Sequence, residues 1–248
     1  ARDWPAGDQE AVTAAIRKIE RSLKKVQSPK TTEVLLIRTS GEEEAGAAYT
    51  RGTAIVMPIE KSGTSRVPLA RLIAHELFHV ISRNDPDLRD QLYQKIGFRR
   101  TGSISLPADL VPLKITNPDA PEINQVIDLR LDRDRSITVT PVLYAKRPFD
   151  PGNSRSVFDY LEFRLMEVIE IVGKRYIANV VDGKPVMHEP NLPDFRRQIG
   201  RNTSYIIHPE EILAENFACL VTERPYVPDK WLVEAIRDAM AEDSESQD

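Results

Sequence analysis

Apolar positions recur at helical spacing in several stretches of the chain, and short β-like runs lie between them. Val12, Ala15, Ile16, Ile19, Leu23 and Val26 form one stripe, with Asp8 placed to cap its start and Pro29 to end it. Thr32 to Thr39 and Ala47 to Met57 each predict a buried strand, separated by the acidic loop from Gly41 to Gly46. From Pro68 to Ser82 the residues Leu69, Leu72, Ile73, Leu77, Phe78, Val80 and Ile81 predict a largely buried helix, uninterrupted by Gly or by an internal Pro. Asn84-Asp85-Pro86 turns into a second helix, Asp87 to Ile96, which closes at Gly97.

The texture changes from about Thr101 to Gly200. Pro-containing loops alternate there with β-like runs at Gln125 to Leu131, Ser136 to Tyr144 and Arg175 to Val181, and Asp182-Gly183 reads as a hairpin turn. Phe158 to Val172 fits a long strand or a helix equally. Helical pattern then returns. Pro209 suits a first helical position and Glu210 and Glu211 the positive end of a helix dipole, which predicts a helix to about Thr222. Asp229 to Met240 is amphipathic, and Glu242 to Asp248 is a polar tail. The expected architecture is α+β, with residues 101–200 as an inserted β-rich subdomain in a domain formed by 1–100 and 201–248.

Composition narrows the function classes. Of 248 residues 41% are hydrophobic, enough for a sizeable core, and no apolar run approaches the ~20 residues of a membrane span. A formal net charge of -4 with both signs interspersed gives no basic surface for nucleic acid or polybasic membrane anchor. Cys219 is the only cysteine, which excludes an internal disulfide framework and a cysteine-based zinc site. Its apolar neighbours Phe217, Ala218, Leu220 and Val221 mark it as an inert core thiol. The chain starts at Ala1 without a signal-like segment, which favours a secreted or periplasmic protein after leader removal over a cytoplasmic one, although a trimmed chain would look the same. Nothing in the sequence sets the oligomeric state.

One motif carries chemistry. His75, Glu76, Leu77, Phe78 and His79 spell H-E-x-x-H within the predicted helix, so both imidazoles project from one face and can grip one metal ion with Glu76 beside them. A chain of this length shows the pattern by chance about once in a few hundred cases. A catalytic zinc takes three protein ligands and keeps a position for water, so one ligand remains to be found. Asp85 lies six residues after His79, but Ser82 occupies the place where a glycine would allow the sharp turn that ligation requires, and Asp85 also suits a helix cap. Glu211 and Glu215 share a helical face at i, i+4, so one can bind metal while the other holds a ligating imidazole by its remaining N–H. Of the other histidines, His208 adjoins Pro209 as a cap or as a stabiliser of an intermediate, and His188 sits in a Pro-rich loop as a surface residue.

With H-E-x-x-H on one helix and Glu211-Ile-Leu-Ala-Glu215 on a later one, the chain resembles the gluzincins, zinc metallopeptidases of zincin-like fold. The stretch from Thr203-Ser204-Tyr205 to Glu211-Ile-Leu-Ala-Glu215-Asn-Phe217 is similar to that of gluzincins of the anthrax-lethal-factor type. The resemblance implies His75, His79 and Glu211 as Zn2+ ligands, Glu215 as the acid orienting a histidine, and Tyr205 as a donor to the tetrahedral intermediate, with His208 as a further candidate. It implies Glu76 as general base toward a peptide or protein substrate, and Ala47 to Met57 as the strand pairing with that substrate. Two rival expectations are a non-catalytic zinc-containing binding module and a substrate-specific effector or toxin-like protease, with residues 101–200 as the selector.

Overall fold

The computed structural model describes residues 1–26, 33–58, 68–147, 150 and 157–246. The architecture is mixed α+β and divides into two compact units, one of residues 1–95, 202–205 and 210–248, the other of residues 96–201 and 206–209. Among the described residues no helix is long and apolar enough to cross a membrane.

The first unit opens with α1 (Ala6–Lys25), whose Val12, Ala15 and Ile19 are buried. It begins before Asp8, so that residue lies in the first turn rather than at the cap, and its carboxylate pairs instead with Arg38 Nε at 3.4 Å. Pro29, expected to end this helix, and Thr32, expected to start the next strand, lie outside the described residues. β1 (Leu35–Arg38) runs parallel to β3 (Ala54–Met57), which pairs on its other side with β2 (Tyr49–Arg51), giving the order β1-β3-β2. The single strand expected over Ala47 to Met57 is thus a hairpin. It reverses at Gly52, where φ is 57°, a left-handed conformation that glycine adopts without steric cost.

α2 (Leu69–Asn84) carries the H-E-x-x-H motif and packs against α1 and the hairpin. Ile73, Ala74, Leu77, Phe78, Val80 and Ile81 are all buried, so apolar contact fixes the helix and leaves its polar positions a defined direction. Arg83 secures the junction, donating to Gly52 O and Thr50 Oγ1 at 2.9 Å each. Asp85 accepts from the Leu88 N–H at 2.9 Å and so caps α3 (Pro86–Lys95), with Pro86 at the first helical position. The last two helices are α5 (Pro209–Val221) and α6 (Lys230–Ser246), the latter continuing past Met240, its expected end, into the polar tail.

The second unit is a curled seven-stranded sheet in the order β4-β6-β7-β8-β9-β5, with β12 also on β8. Its strands are β4 (Phe98–Arg100), β5 (Ser103–Ser105), β6 (Gln125–Arg130), β7 (Ser136–Ala145), β8 (Leu161–Glu170), β9 (Arg175–Ala178) and β12 (Met187–His188). The ambiguous run from Phe158 resolves as a short 3-10 turn, Val157–Tyr160, followed by β8. Between β9 and β12 a hairpin of β10 (Val180–Val181) and β11 (Lys184–Pro185) turns at Asp182-Gly183, both with positive φ. Pro141 falls beyond the last β6 partner of β7, where a missing N–H costs no ladder bond on that side. Alternation along the strands places Val126, Val142, Met166, Val168 and Tyr176 in one core, which Leu110 joins from a loop.

A short helix, α4 (Pro193–Ile199), packs on β6 and sets Phe195 edge-to-face against Phe98, ring centroids 6.3 Å apart. Gly97 sits beneath it at φ 81°, and a Cβ there would meet Gln198 Oε1 at 2.0 Å and Ile127 Cδ1 at 3.2 Å. The backbone conformation favours glycine, and a larger residue would also have to displace the end of the Gln198 side chain. Gly97→Ala is therefore expected to destabilise the protein by about 1–3 kcal/mol in chemical denaturation. A variant as stable as the parent would show that this packing is slack.

Candidate metal centre

The site is built by α2 and α5. On α2, i, i+4 spacing aims His75 and His79 the same way, their ring centroids 4.9 Å apart and nearly perpendicular. On α5 the apolar positions Ile212, Leu213, Ala214, Phe217 and Ala218 are completely buried, which leaves Glu211 nowhere to turn but inward. Phe78 of α2 meets Phe217 of α5 at 5.6 Å, clamping the two helices beside the polar cluster.

The carboxylates and imidazoles then pair off. His75 Nε2 lies 3.0 Å from Glu211 Oε2, and its Nδ1 lies 3.1 Å from Glu215 Oε1. His79 Nδ1 lies 3.0 Å from Glu210 Oε1, while its Nε2 faces Glu211 Oε2 at 3.7 Å. Arg71 donates to the second oxygen of Glu215, and Ser82 Oγ and Tyr93 Oη donate to the two oxygens of Glu210. Glu76 is buried, and a carboxylate oxygen of it lies within 4.8 Å of a His79 nitrogen.

Two observations test whether a metal fits. One donor atom each from His75, His79 and Glu211 lies within 4.8 Å of the other two, and both Nε2 atoms converge on Glu211 Oε2 at 3.0 and 3.7 Å. Tetrahedral zinc bonds of about 2.0 Å require ligand atoms about 3.3 Å apart, the mean of those contacts. In addition, the buried His79 Nε2 makes no hydrogen bond among the described residues. An orphaned imidazole nitrogen aimed at a carboxylate is the arrangement a cation resolves. Two histidines and one glutamate are also a donor set that zinc accepts.

Electrostatics agree. Four carboxylates, of Glu76, Glu210, Glu211 and Glu215, lie around the two imidazoles, and the Arg71 guanidinium meets Glu215. Burial opposes the charged form of His75, yet its contacts with Glu211 and Glu215 and the nearby charge of Glu76 hold it protonated well above its ordinary 6.5. His79 is raised in the same way, against its burial, by the charges of Glu211 and Glu210. Burial likewise opposes ionisation of Glu210 and Glu215, but their imidazole partners outweigh it and lower both.

Tyr205 stands beside His75, ring centroids 6.4 Å apart at 28°, with 43% of its surface exposed. Its segment is tied down by a clasp that sequence alone did not reveal: Asn202 Nδ2 donates to Asn216 Oδ1 at 2.7 Å, and its Oδ1 accepts from the Asp229 N–H at 2.8 Å. His208 is buried with Nε2 3.2 Å from Gln125 Oε1. His188 is not a loop residue without a partner; it lies in β12 with Nε2 2.9 Å from Glu167 Oε2. Asp85 is the cap of α3, and Cys219 is buried in α5. Glu210 was seen in the sequence only as a dipole partner. Its Glu-Glu-x-x-x-Glu context is the signal that could have placed a second acid behind a histidine.

No known family profile, no curated protein and no solved structure matches this chain.

Removal of Glu211 should cost more metal than removal of Glu215. Glu211→Ala is expected to leave a weakly loaded protein, and Glu215→Ala to lose about 10–100-fold in zinc affinity; equal retention in both would move the third ligand elsewhere. The pH dependence of the metal-free protein follows from the raised and lowered groups. The contribution of His75 is complete below its unfolded value of 6.5 and is lost as pH rises through its higher folded value. Those of Glu210 and Glu215 are complete above 4.5 and are lost as pH falls through their lower folded values. Thermal stability in chelator should therefore fall on both sides of a maximum, and zinc, if bound as proposed, should abolish the alkaline loss by taking the place of the imidazole protons. An alkaline limb unchanged by zinc would contradict this.

Proposed function

We propose that this chain is a zinc-dependent metallopeptidase of gluzincin type and zincin-like fold, hydrolysing peptide bonds with His75, His79 and Glu211 holding the ion. The observation that supports this best is the convergence of two imidazole nitrogens and one carboxylate on a point beside the buried Glu76. Zinc, when bound, would acidify water toward a pKa of ~7 and polarise the scissile carbonyl.

The residues divide the remaining work. Glu76, adjacent to the first histidine, takes the proton of the attacking water and returns it to the departing amine. Glu215 holds His75 by Nδ1, with Arg71 fixing the carboxylate from behind. Tyr205, beside His75 and partly open to solvent, donates to the oxyanion as charge develops. His208, whose Nε2 engages Gln125, is assigned no step. β3 already has β1 and β2 on its two sides, so of the expected strand segment 47–57 only β2 is an edge to which a peptide substrate could add.

Glu76→Gln separates catalysis from metal binding. The variant should retain zinc while turnover of a broad peptide library falls by at least about 10²-fold, the usual worth of a general base. Normal hydrolysis by Glu76→Gln would refute its role. Cleavage of many peptides by the parent supports a general peptidase, cleavage of one protein an effector, and none despite bound zinc a binding module.

A further inference from the structure

Behind the second histidine lies an arrangement that the proposed reaction does not use. Glu210, directly before the proposed ligand Glu211, is buried and turned to the far side of His79. Its Oε1 receives Ser82 Oγ and lies 3.0 Å from His79 Nδ1, and its Oε2 accepts from Tyr93 Oη at 2.5 Å. Two hydroxyls on two oxygens fix the carboxylate plane. The same carboxylate meets the imidazole.

We propose that Glu210, locked by Tyr93 and Ser82, is a positioning residue that fixes His79 with its proton on Nδ1 and its Nε2 lone pair aimed at the metal. This rests on the reading of His75, His79 and Glu211 as zinc ligands. The geometry supports it from both ends of the ring. Nδ1 has a buried carboxylate partner, whereas Nε2 is buried, makes no hydrogen bond among the described residues and faces Glu211 Oε2 at 3.7 Å. A neutral imidazole presents one donor and one acceptor, so holding the proton on Nδ1 determines which nitrogen binds.

Each histidine of the motif then has its own carboxylate on α5, Glu215 for His75 and Glu210 for His79, and these flank Glu211 in sequence. The two clamps differ in setting. Glu215 is steadied by a guanidinium and is partly exposed, while Glu210 is steadied by two neutral hydroxyls in a sealed interior. Tyr93 also gives α3 a role in the metal site, since that helix delivers the hydroxyl on which the orientation of Glu210 depends.

The test uses the full chain and its Glu210→Gln, Glu210→Ala and Tyr93→Phe variants, loaded with zinc for affinity and with cobalt for spectroscopy. Competition against a chromophoric chelator should show Glu210→Ala weakened by up to about 100-fold in zinc affinity and Glu210→Gln by about tenfold, since the amide keeps an acceptor oxygen but not the charge. In the cobalt protein, the exchangeable Nδ1–H resonance of His79 should exchange with solvent faster in Glu210→Gln and Tyr93→Phe, while that of His75 stays unchanged. A merely structural Glu210 would lower thermal stability without this selective change. If the parent binds zinc and Glu210→Gln matches it in both affinity and His79 exchange, the positioning role is overturned and the metal site stands. If the parent binds no zinc, the metal site falls and the positioning role with it.

Discussion

Everything distinctive about this molecule depends on acidic residues brought into the interior by one apolar helix. α5 is buried along almost its whole length, and three of its glutamates therefore reach His75 and His79 on α2. Burying carboxylates is expensive unless each finds a partner. Here the partners include the two imidazoles, the Arg71 guanidinium and two hydroxyls, and the carboxylates draw protons onto the histidines. A divalent cation would answer the same carboxylates with one ion. On the proposed reading proton and zinc compete for the same nitrogens, so the carboxylates that protonate the metal-free histidines are the ones that would favour the ion.

That competition gives the surrounding structure its purpose. Phe78 against Phe217 holds α2 and α5 in register, Arg83 ties α2 to the β2–β3 hairpin, and the Asn202–Asn216 clasp keeps Tyr205 next to His75. A displacement of either helix would expose or orphan at least one buried carboxylate, so packing and electrostatics favour the same arrangement. The cost of breaking one pair exceeds the worth of making it, because the partner left behind remains buried.

Much of this was legible in the residues. Helical periodicity located the motif helix and α5 to within about two residues, because a stripe of large aliphatic side chains is a strong signal. The i, i+4 spacing of His75 with His79 and of Glu211 with Glu215 placed each pair on a common face. What failed was nonlocal. The hairpin within 47–57 reads as one strand because Thr50, Arg51 and Thr53 are all compatible with a strand, and the left-handed conformation of Gly52 cannot be read from composition. Glu210 reads as a dipole partner because its contacts with Tyr93 and Ser82 span more than a hundred residues of sequence. His188 gained its partner Glu167 only through pairing of β12 with β8, which no local pattern announces.

The most direct measurement is anomalous diffraction from crystals of the zinc-treated protein, recorded on both sides of the zinc absorption edge. The account requires one strong peak bonded to His75 Nε2, His79 Nε2 and a Glu211 carboxylate oxygen, the last at about 2.0–2.2 Å. Glu215 and Glu210 should lie behind the two rings without touching the ion. No peak between α2 and α5, or one bonded to Glu215 or Asp85 in place of Glu211, would contradict it.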